Sequence, residues 1–424
     1  MNNTTYKRGG TGTLIKIAFR NIWRNKRRTA FCFSAVGIAV FFIVIYSSLI
    51  DGMTQSINDI VQIFELGHVR VVSEDYEAEQ EYMPVQYPVS DGRSWREMAD
   101  EIKRIPGVRS VFPRIATMAT LQDSTIRHGM LWGLDIAGEM ATNHFNLTDR
   151  NNGLLEGRYP APGSNEAAVG RVFAEKTGLG IGDRIPLRTT SAQFADRFWE
   201  PVITGIFNFD YIRYDEQFII VDIERLQRLL VLEEGTQQLV IFAEDTSESG
   251  RIAAAVQNML GQGNVVSEWT DNYWVAVMRM IIPIYTIVFL VFLIVASFLI
   301  VNTVVMIIHE RIKEIGMMGC LGMSRGEIVK VFFFESLFLA AFGALCGILV
   351  GGGLTGLMQN FPIRMGDMYG NTFADMPMSN AIFFQFNYGR LVYAWTLGVV
   401  IASLFTLIPS LKSAFVEPVE ALRR

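Results

Sequence analysis

Four apolar stretches constrain this sequence more than any other feature, because a helix of about 20 apolar residues spans the hydrocarbon core of a bilayer. They are residues 29–50, 283–308, 331–358 and 390–411, and only the third holds an acid, Glu335. A single stretch has a buried core helix as its alternative. Four of them, each beside basic residues on one side, predict an α-helical membrane protein with four transmembrane helices.

The charges are distributed unevenly along the 424 residues. Residues 51–282 hold 34 acids and 20 bases, whereas the rest of the chain holds 8 acids and 17 bases. This contrast predicts an acidic extracytoplasmic domain on membrane segments with basic flanks, and it does not indicate nucleic acid as a partner. All three cysteines lie outside residues 51–282, so this domain has to be stabilised by its own core rather than by disulfides.

Lysine and arginine set the predicted orientation through the positive-inside rule. Lysine and arginine residues precede the first apolar stretch, lie between the second and the third, and follow the fourth. Residues 359–389 contain a single basic residue, Arg364. The predicted cytoplasmic segments are therefore 1–28, 309–330 and 412–424, and the predicted outer segments are 51–282 and 359–389.

Residues 14–25 have the pattern of an amphipathic elbow helix that lies in the headgroup plane. Apolar residues share one helical face, and bases follow one another on another face at Lys16, Arg20 and Arg24. A plain basic flank is the alternative interpretation. The first apolar stretch is longer than the apolar region of a signal peptide and lacks a small-residue cleavage pattern, which predicts an uncleaved anchor.

The acidic segment has the pattern of a mixed α/β domain. Alternating apolar residues predict a strand at 69–72, and Ser94 and Glu97 form a capping-box pattern that opens a helix. The predicted order is β-α-β, then mostly strands, then α-β. This order predicts two lobes, one of which is split by insertion of the other.

The sequence lacks the common catalytic and metal-binding patterns. The sequence has no P-loop, and the glycine-rich residues 178–183 lack a lysine and precede a predicted strand, so they are predicted to form a turn. The four histidines lack metal-ligand spacing. We therefore expect no catalytic residue, no metal site and no cofactor in this chain.

The third apolar stretch contains small residues at helical spacing. Gly343, Gly347 and Gly351 recur every four residues, a spacing that allows two membrane helices to approach closely. The alternative is the ordinary enrichment of glycine in membrane helices. The spacing predicts helix packing, but it leaves open whether the partner helix belongs to this chain or to another subunit.

Residues 309–330 lie between two apolar stretches and predict a short amphipathic helix at the cytoplasmic surface. Its charges are mixed in sign, with Glu310, Lys313 and Glu314 on one side. A helix that binds lipid would be mainly basic, so a protein partner is favoured. A tight solvated turn between two spans is the alternative.

The same segment, ERIKEIGMMGCLGMSRGEIVK, resembles the cytoplasmic loop of FtsX-like and MacB-type ABC transporter permeases. The matching residues are Arg311, Glu314, Ile315, Gly316, Leu321, Gly322, Ser324 and Ile328, and Cys320 and Met323 replace the usual alanines. The stretches AFRNIWRNKRRT and PVEALRR resemble the opening and the ending of the family. The resemblance covers the whole chain and implies a type VII ABC permease fold with a large two-lobed outer domain.

Within this family, several short segments are similar to the lipoprotein-releasing Lol permeases. They are LGHVRV at 66–71, GLD at 133–135, LLEGR at 154–158, GLGIGDRI at 178–185 and a strand at Trp269. This similarity implies release of lipoproteins from the inner membrane. MacB-like export of peptides or drugs and FtsX-like regulation of a cell-wall hydrolase stay open as alternatives. MacB-type chains usually include their ATPase, and this sequence shows none.

The resemblance also implies the partners and the residues that contact them. ATP and Mg would be bound by two separate ATPase subunits, and the second permease would be another copy or a paralogue. The other expected partners are an acylated lipoprotein, a periplasmic carrier protein and membrane lipids. In such permeases a hairpin of the outer domain recruits the carrier, and the corresponding residues 189–201 are short here.

Two sets of candidate site residues follow from this comparison. The residues expected to contact the ATPase are Glu310, Arg311, Lys313, Glu314, Ile315, Gly316, Leu321, Gly322 and Ser324. The candidate lipid contacts are Phe41, Phe42, Ile45, Pro283 and Phe289, for which ordinary exposure to bilayer lipid is the alternative.

Overall fold

The structure is a computed structural model that divides into two compact units. The membrane unit comprises Met1–Gly52, Met280–Ile363 and Phe383–Arg424, and the sheet unit comprises Met53–Arg279 and Arg364–Ile382. The described residues are 11–24, 26–90, 92–121, 128–142, 153–260, 262–310, 312–320, 323–361, 363–364 and 381–413.

The α-helices of the described residues are numbered in chain order. They are α1 (Thr11–Arg24), α2 (Lys26–Ile60), α3 (Glu74–Ala78), α4 (Trp95–Ile102), α5 (Ile136–Ala141), α6 (Arg171–Thr177), α7 (Ile212–Gln217), α8 (Ile223–Leu230), α9 (Ser249–Leu260), α10 (Tyr273–Glu310), α11 (Ile312–Cys320), α12 (Arg325–Met358) and α13 (Tyr388–Ser413). A π-helix covers Val61–Glu65, and short 3₁₀ turns cover Gln80–Tyr82, Thr246–Glu248 and Trp269–Asp271.

The strands follow the same numbering. They are β1 (Val69–Ser73), β2 (Val108–Leu121), β3 (His128–Leu134), β4 (Leu154–Gly157), β5 (Glu166–Gly170), β6 (Leu187–Thr190), β7 (Asp196–Trp199), β8 (Val202–Phe207), β9 (Phe218–Asp222), β10 (Gln238–Ala243), β11 (Asn264–Glu268), β12 (Ile363–Arg364) and β13 (Ala381–Ile382).

Four helices of the described chain are long and apolar enough to cross a membrane: α2, α10, α12 and α13. Both α2, at 35 residues, and α10, at 38 residues, extend well beyond the apolar stretches that predicted them. Pro283 lies inside α10 without ending it, because the residue lacks only one backbone donor of a long hydrogen-bonded ladder.

Close contact between α12 and α2 organises the membrane unit. The three glycines of the predicted stripe are buried in the structure, and they face α2 of the same chain. A Cβ atom at Gly347 would lie 2.5 Å from the carbonyl oxygen of Gly37, and one at Gly343 would lie 2.7 Å from that of Phe33. The absence of side chains here therefore allows contact between the two backbones. The glycine spacing left the partner helix open, and in this structure the partner is α2 of the same chain.

One mixed sheet forms the framework of the sheet unit. The strand order is β11-β1-β10-β2-β3-β9-β5-β8-β4, and the β6–β7 hairpin attaches to β2. The pairs β3–β9 and β5–β8 are parallel, and their neighbours are antiparallel.

The two predicted lobes share this sheet. A core between α4, α9 and strands β1, β10 and β11 is built from the first and last parts of the unit. The intervening residues cover both faces of β9: Ile219 and Val221 enter a core with α6 and α8, and Phe218 and Ile220 enter an aromatic core with α7. The inserted lobe is therefore continuous with the lobe that it splits, through the 14-residue strand β2.

A buried ion pair joins the sheet to the π-helix. Arg114 on β2 donates to both carboxylate oxygens of Glu139, at 3.0 and 2.8 Å, and its third donor lies 3.3 Å from the carbonyl oxygen of Phe64. The guanidinium also lies 5.3 Å from the centre of the Trp132 ring. The charge of this side chain, which is only 2% exposed, is thus compensated by the Glu139 carboxylate and the Phe64 carbonyl group.

Asp215 on α7 is a second buried charge, and it has fewer partners. Its Oδ1 atom accepts a hydrogen bond of 2.7 Å from the backbone N–H of Phe209, and the side chain is 2% exposed. Burial raises the pKa of Asp215 to about 7, and the Phe209 N–H opposes this shift only in part.

We expect Gly347→Leu to destabilise the membrane unit by about 1–3 kcal/mol, because the new side chain meets the backbone of α2. Gly353→Leu is the matched control, since Gly353 lies on the same helix with no atom within 4 Å of its added Cβ. The measurement is thermal unfolding of the detergent-purified chain. Equal melting temperatures for the two variants would contradict the packing of α12 on α2.

Asp215→Asn should change how stability depends on pH. The folded state keeps the proton of Asp215 up to about pH 7, whereas the unfolded state loses it near pH 3.8, so this group makes the wild type less stable as the pH rises through that interval. Between pH 5 and pH 8 the effect amounts to about 3 kcal/mol. The difference in stability between Asp215→Asn and the wild type should therefore shift in favour of the variant as the pH rises. Hydrogen exchange of residues 202–222 measures this difference. A pH-independent difference would disprove the raised pKa.

Candidate functional site

The loop between the second and third spans contains two helix ends and one short helix. Glu310 ends α10, α11 covers Ile312–Cys320, and α12 begins at Arg325. Helix α11 therefore includes Lys313, Glu314, Ile315 and Gly316 of the predicted contact set, whereas Arg311, Leu321 and Gly322 lie outside the described residues.

One face of α11 is exposed and the other is packed. Lys313, Met317 and Cys320 are exposed at i, i+4 and i+7, so they lie along one stripe of the helix. Gly316 is buried, and Met318 packs against the core of the membrane unit. The packed side fixes the helix on its own unit, and the exposed stripe, with Met317 52% accessible, is available to a second protein.

Ser324 has a local structural role. Its Oγ atom accepts from the backbone N–H of Glu327 at 3.3 Å, and the Glu327 carboxylate accepts from the backbone N–H of Ser324 at 2.8 Å. This reciprocal capping box starts α12 only four residues after α11 ends. Within the predicted contact set, Ser324 is thus the N-cap residue of α12.

The predicted elbow helix, α1, packs on the start of α12. The ring centres of Phe19 and Phe338 are 5.7 Å apart, and the Asn21 amide donates to the carboxylate of Glu335 over 3.5 Å. Glu335 is 4% exposed although it lies in a helix long enough to span the membrane. The sequence showed this acid but gave no indication of its contact with α1, which is 314 residues away.

A hydrogen-bonded junction in the sheet unit was not predicted from the sequence. Glu65, at the end of the π-helix, accepts from the Asn272 amide at 2.9 Å and from the Tyr214 hydroxyl at 3.3 Å. Asn272 also accepts from the backbone N–H of Trp274 at 2.9 Å and so caps α10. One carboxylate thus links the end of the helix that enters the sheet unit to the beginning of the helix that leaves it.

The five candidate lipid contacts differ in their surroundings. Phe42 is 61% exposed and Pro283 is exposed, whereas Phe41 and Ile45 are half-buried. Phe289 packs against the core of the membrane unit, with its ring centre 4.6 Å from that of Tyr46. The structure therefore does not gather these five side chains into one cavity.

Residues 189–201 contain most of a β-hairpin. Strands β6 and β7 pair from Leu187↔Trp199 to Thr190↔Asp196, and the turn holds Phe194 at a φ of +58°. Phe194 is 76% exposed and Phe198 is 67% exposed. These two aromatic side chains therefore lie largely uncovered on the hairpin.

No group of three or more potential metal ligands occurs among the residues whose placement is described. The carboxylates of Glu65 and Glu335 accept hydrogen bonds from Asn272 and Asn21, and that of Glu327 caps α12.

Comparison with known proteins identifies the two units. The model of the MacB-like periplasmic core domain matches residues 29–259, and that of the FtsX-like permease C-terminal domain matches residues 286–418. The lipoprotein-releasing system transmembrane protein LolC of Neisseria meningitidis serogroup B is 22% identical over 350 residues, which are 78% of this chain and 81% of that protein.

A macrolide export ATP-binding/permease protein, MacB of Chlorobaculum tepidum, is 30% identical over 124 residues, covering 29% of this chain and 16% of that protein. The solved extracellular domain of the transporter YknZ from Gram-positive bacteria is 10% identical, with a TM-score of 0.32, and the match covers 47% of this chain and 99% of that domain. Since the MacB-like core model matches more than half of the sequence, the chain belongs to that family, as a membrane-spanning ABC transporter permease of the MacB/FtsX/LolC type.

Proposed function

We propose that this permease releases acylated lipoproteins from the inner membrane of a bacterium for delivery to the outer membrane. The observation that carries the proposal is the similarity to the lipoprotein-releasing protein LolC, which extends over 78% of the chain and so includes both units. Both termini and α11 are cytoplasmic in this proposal, and the sheet unit is periplasmic.

Two ABC ATPase subunits bind ATP and Mg and contact the exposed stripe of α11. The stripe has one base, Lys313, and an exposed methionine, Met317, which suits a protein cleft better than a lipid surface. Closure of the ATPase dimer moves α11, and α10 begins its 38 residues in the sheet unit and ends beside α11. Helix α10 contains one proline, Pro283, and no glycine, so it transmits such a displacement with at most one kink.

Lipoprotein release needs this input because lipid anchors bind membranes strongly. Each buried CH₂ group contributes about 0.8 kcal/mol, so exposing several acyl chains together costs tens of kcal/mol. Phe41, Phe42, Ile45, Pro283 and Phe289 are the candidate contacts along the first two spans. Passage beside these apolar side chains lowers the cost, since the acyl chains need not cross water.

The β6–β7 hairpin is the proposed binding surface for a periplasmic carrier protein, and a second permease, identical or paralogous, completes the transporter. Phe194 and Phe198 offer the carrier two exposed aromatic anchors on a rigid strand pair. Export of peptides or drugs is the second candidate function, and the match to the MacB relative supports it over 29% of the chain.

We expect cells depleted of the chain to retain lipoproteins in the inner membrane, measured by membrane fractionation. Phe194→Ser/Phe198→Ser should fail to restore sorting, because the carrier loses its anchors, while Ile181→Ser restores it. Ile181 is the control because it is 48% exposed and lies outside the hairpin. Normal sorting in depleted cells would exclude lipoprotein release and favour export or regulation of a cell-wall hydrolase.

Glu314→Lys should abolish the stimulation of ATPase activity by the permease and leave membrane insertion intact, because it reverses a charge on the proposed coupling helix. The measurement is ATP hydrolysis by the reconstituted complex. Glu175→Lys, an equal charge reversal at a 60% exposed site of the sheet unit, is the control. Unchanged stimulation in Glu314→Lys would contradict the assignment of α11 as the coupling helix.

A further inference from the structure

A groove of about 150 Å³ lies among three helices at one end of the membrane unit. Helix α2 contributes Ile43 and Ser47, α10 contributes Tyr285 and Phe289, and α13 contributes Tyr393 and Leu397. The groove is open along one side rather than enclosed, and Phe289 is the one member of its wall that is also a candidate lipid contact in the proposed release.

The wall of this groove suits hydrocarbon. Its two aliphatic hydroxyl groups are satisfied within their own helices: Ser47 donates to the carbonyl oxygen of Val44 at 3.2 Å, and Thr286 donates to that of Ile282 at 3.1 Å. Hydroxyl groups bonded in this way offer little to water. Because the other side chains of the wall are aliphatic or aromatic, an apolar occupant is favoured over solvent.

The rim of the groove has the opposite character. Arg390, in the first turn of α13, donates to both carboxylate oxygens of Asp51 on α2, from Nε at 3.0 Å and from Nη2 at 2.8 Å. The Arg390 side chain is still 48% exposed and that of Asp51 is 22% exposed. A cation and an anion therefore stand together at the polar end of an apolar groove, where each is accessible.

We propose that this groove binds a zwitterionic phospholipid of the phosphatidylethanolamine class. One acyl chain lies between α2, α10 and α13, the phosphate binds Arg390, and the ammonium group binds Asp51. Guanidinium groups bind phosphate oxygens in a bidentate manner, and a carboxylate accepts from an ammonium group. The ion pair between Arg390 and Asp51 is then replaced by two ion pairs, one between Arg390 and the phosphate and one between Asp51 and the ammonium group.

Charge complementarity distinguishes this occupant from other molecules with acyl chains. A diacylglycerol or the acylated end of a lipoprotein has no phosphate for Arg390. An anionic phospholipid has no cation for Asp51. The bound lipid acts as a wedge among three membrane helices, and this inference does not depend on which cargo the permease moves.

The test measures lipid binding to the detergent-purified full chain by native mass spectrometry. Phosphatidylethanolamine, phosphatidylglycerol and diacylglycerol with identical chains serve as probes. We expect one phosphatidylethanolamine per chain, held about tenfold more tightly than diacylglycerol, the ratio for one charge-assisted contact. Equal binding of these two lipids would overturn the assignment of the headgroup.

Variants locate the site. Thr286→Trp fills the groove from an exposed position and should abolish binding, whereas Val288→Trp, two residues away on the same helix and 44% exposed, should retain it. Arg390→Gln should reduce phosphatidylethanolamine binding to the diacylglycerol level, and Asp51→Asn should shift the preference to phosphatidylglycerol.

Two results would overturn the site itself. One is a Thr286→Trp variant that binds phosphatidylethanolamine as the wild type does. The other is stoichiometric displacement of phosphatidylethanolamine by a synthetic triacylated lipopeptide, which would make the groove a cargo site. Failure of lipoprotein sorting leaves these binding measurements unchanged, so the two proposals fail separately.

Discussion

Membrane helices gain little from the hydrophobic effect when they associate, because lipid tails are as apolar as the side chains they replace. The membrane unit depends on close backbone contact instead. Gly343, Gly347 and Gly351 remove side chains where α12 meets α2, and Gly37 does the same from the other helix. With these two helices fixed, α13 packs on α12 and α1 packs on the start of α12. Helices α2 and α13, which both pack on α12, form two of the three walls of the groove at Arg390.

The sheet unit solves a different problem, since water surrounds its surface and its core can be ordinary. Helices cover both faces of the sheet where its strands are buried. On β9, for example, Ile219 enters one core and the next residue, Ile220, enters the core on the opposite face. Polar groups enter this core only with partners. Arg114 and Glu65 both tie the π-helix to residues far away in the sequence, Glu139 and Asn272. These bonds fix the place where the chain enters and leaves the unit.

Local patterns predicted much of this fold from the sequence. Apolar length predicted four membrane helices, and the capping box at Ser94 and Glu97 forms as its spacing indicated. The glycine spacing predicted close packing but not the partner helix, because a stripe of glycines allows any membrane helix to approach closely. The ends of α2 and α10 could not be predicted either, because the polar extensions of these helices lack the high hydropathy by which a membrane span is recognised.

Contacts between distant residues were beyond prediction for a physical reason. Asp51 and Arg390 are 339 residues apart, and Glu65 and Asn272 are 207 apart, so no local spacing relates them. Each is an ordinary charged or polar residue until the fold supplies its partner. Ser324 shows the converse: a family motif marks it for an external contact, while its hydrogen bonds to Glu327 are internal.

The short loop around α11 can now be explained by its geometry. The capping box starts α12 four residues after α11 ends, and Met318 packs α11 against the core of its own unit. Helix α11 is packed on one side and exposed on the other, at Lys313 and Met317. Such a helix can transmit a displacement while it stays packed on its own unit. A longer or more flexible loop would absorb that displacement. The brevity of the segment is thus a mechanical requirement of the proposed coupling.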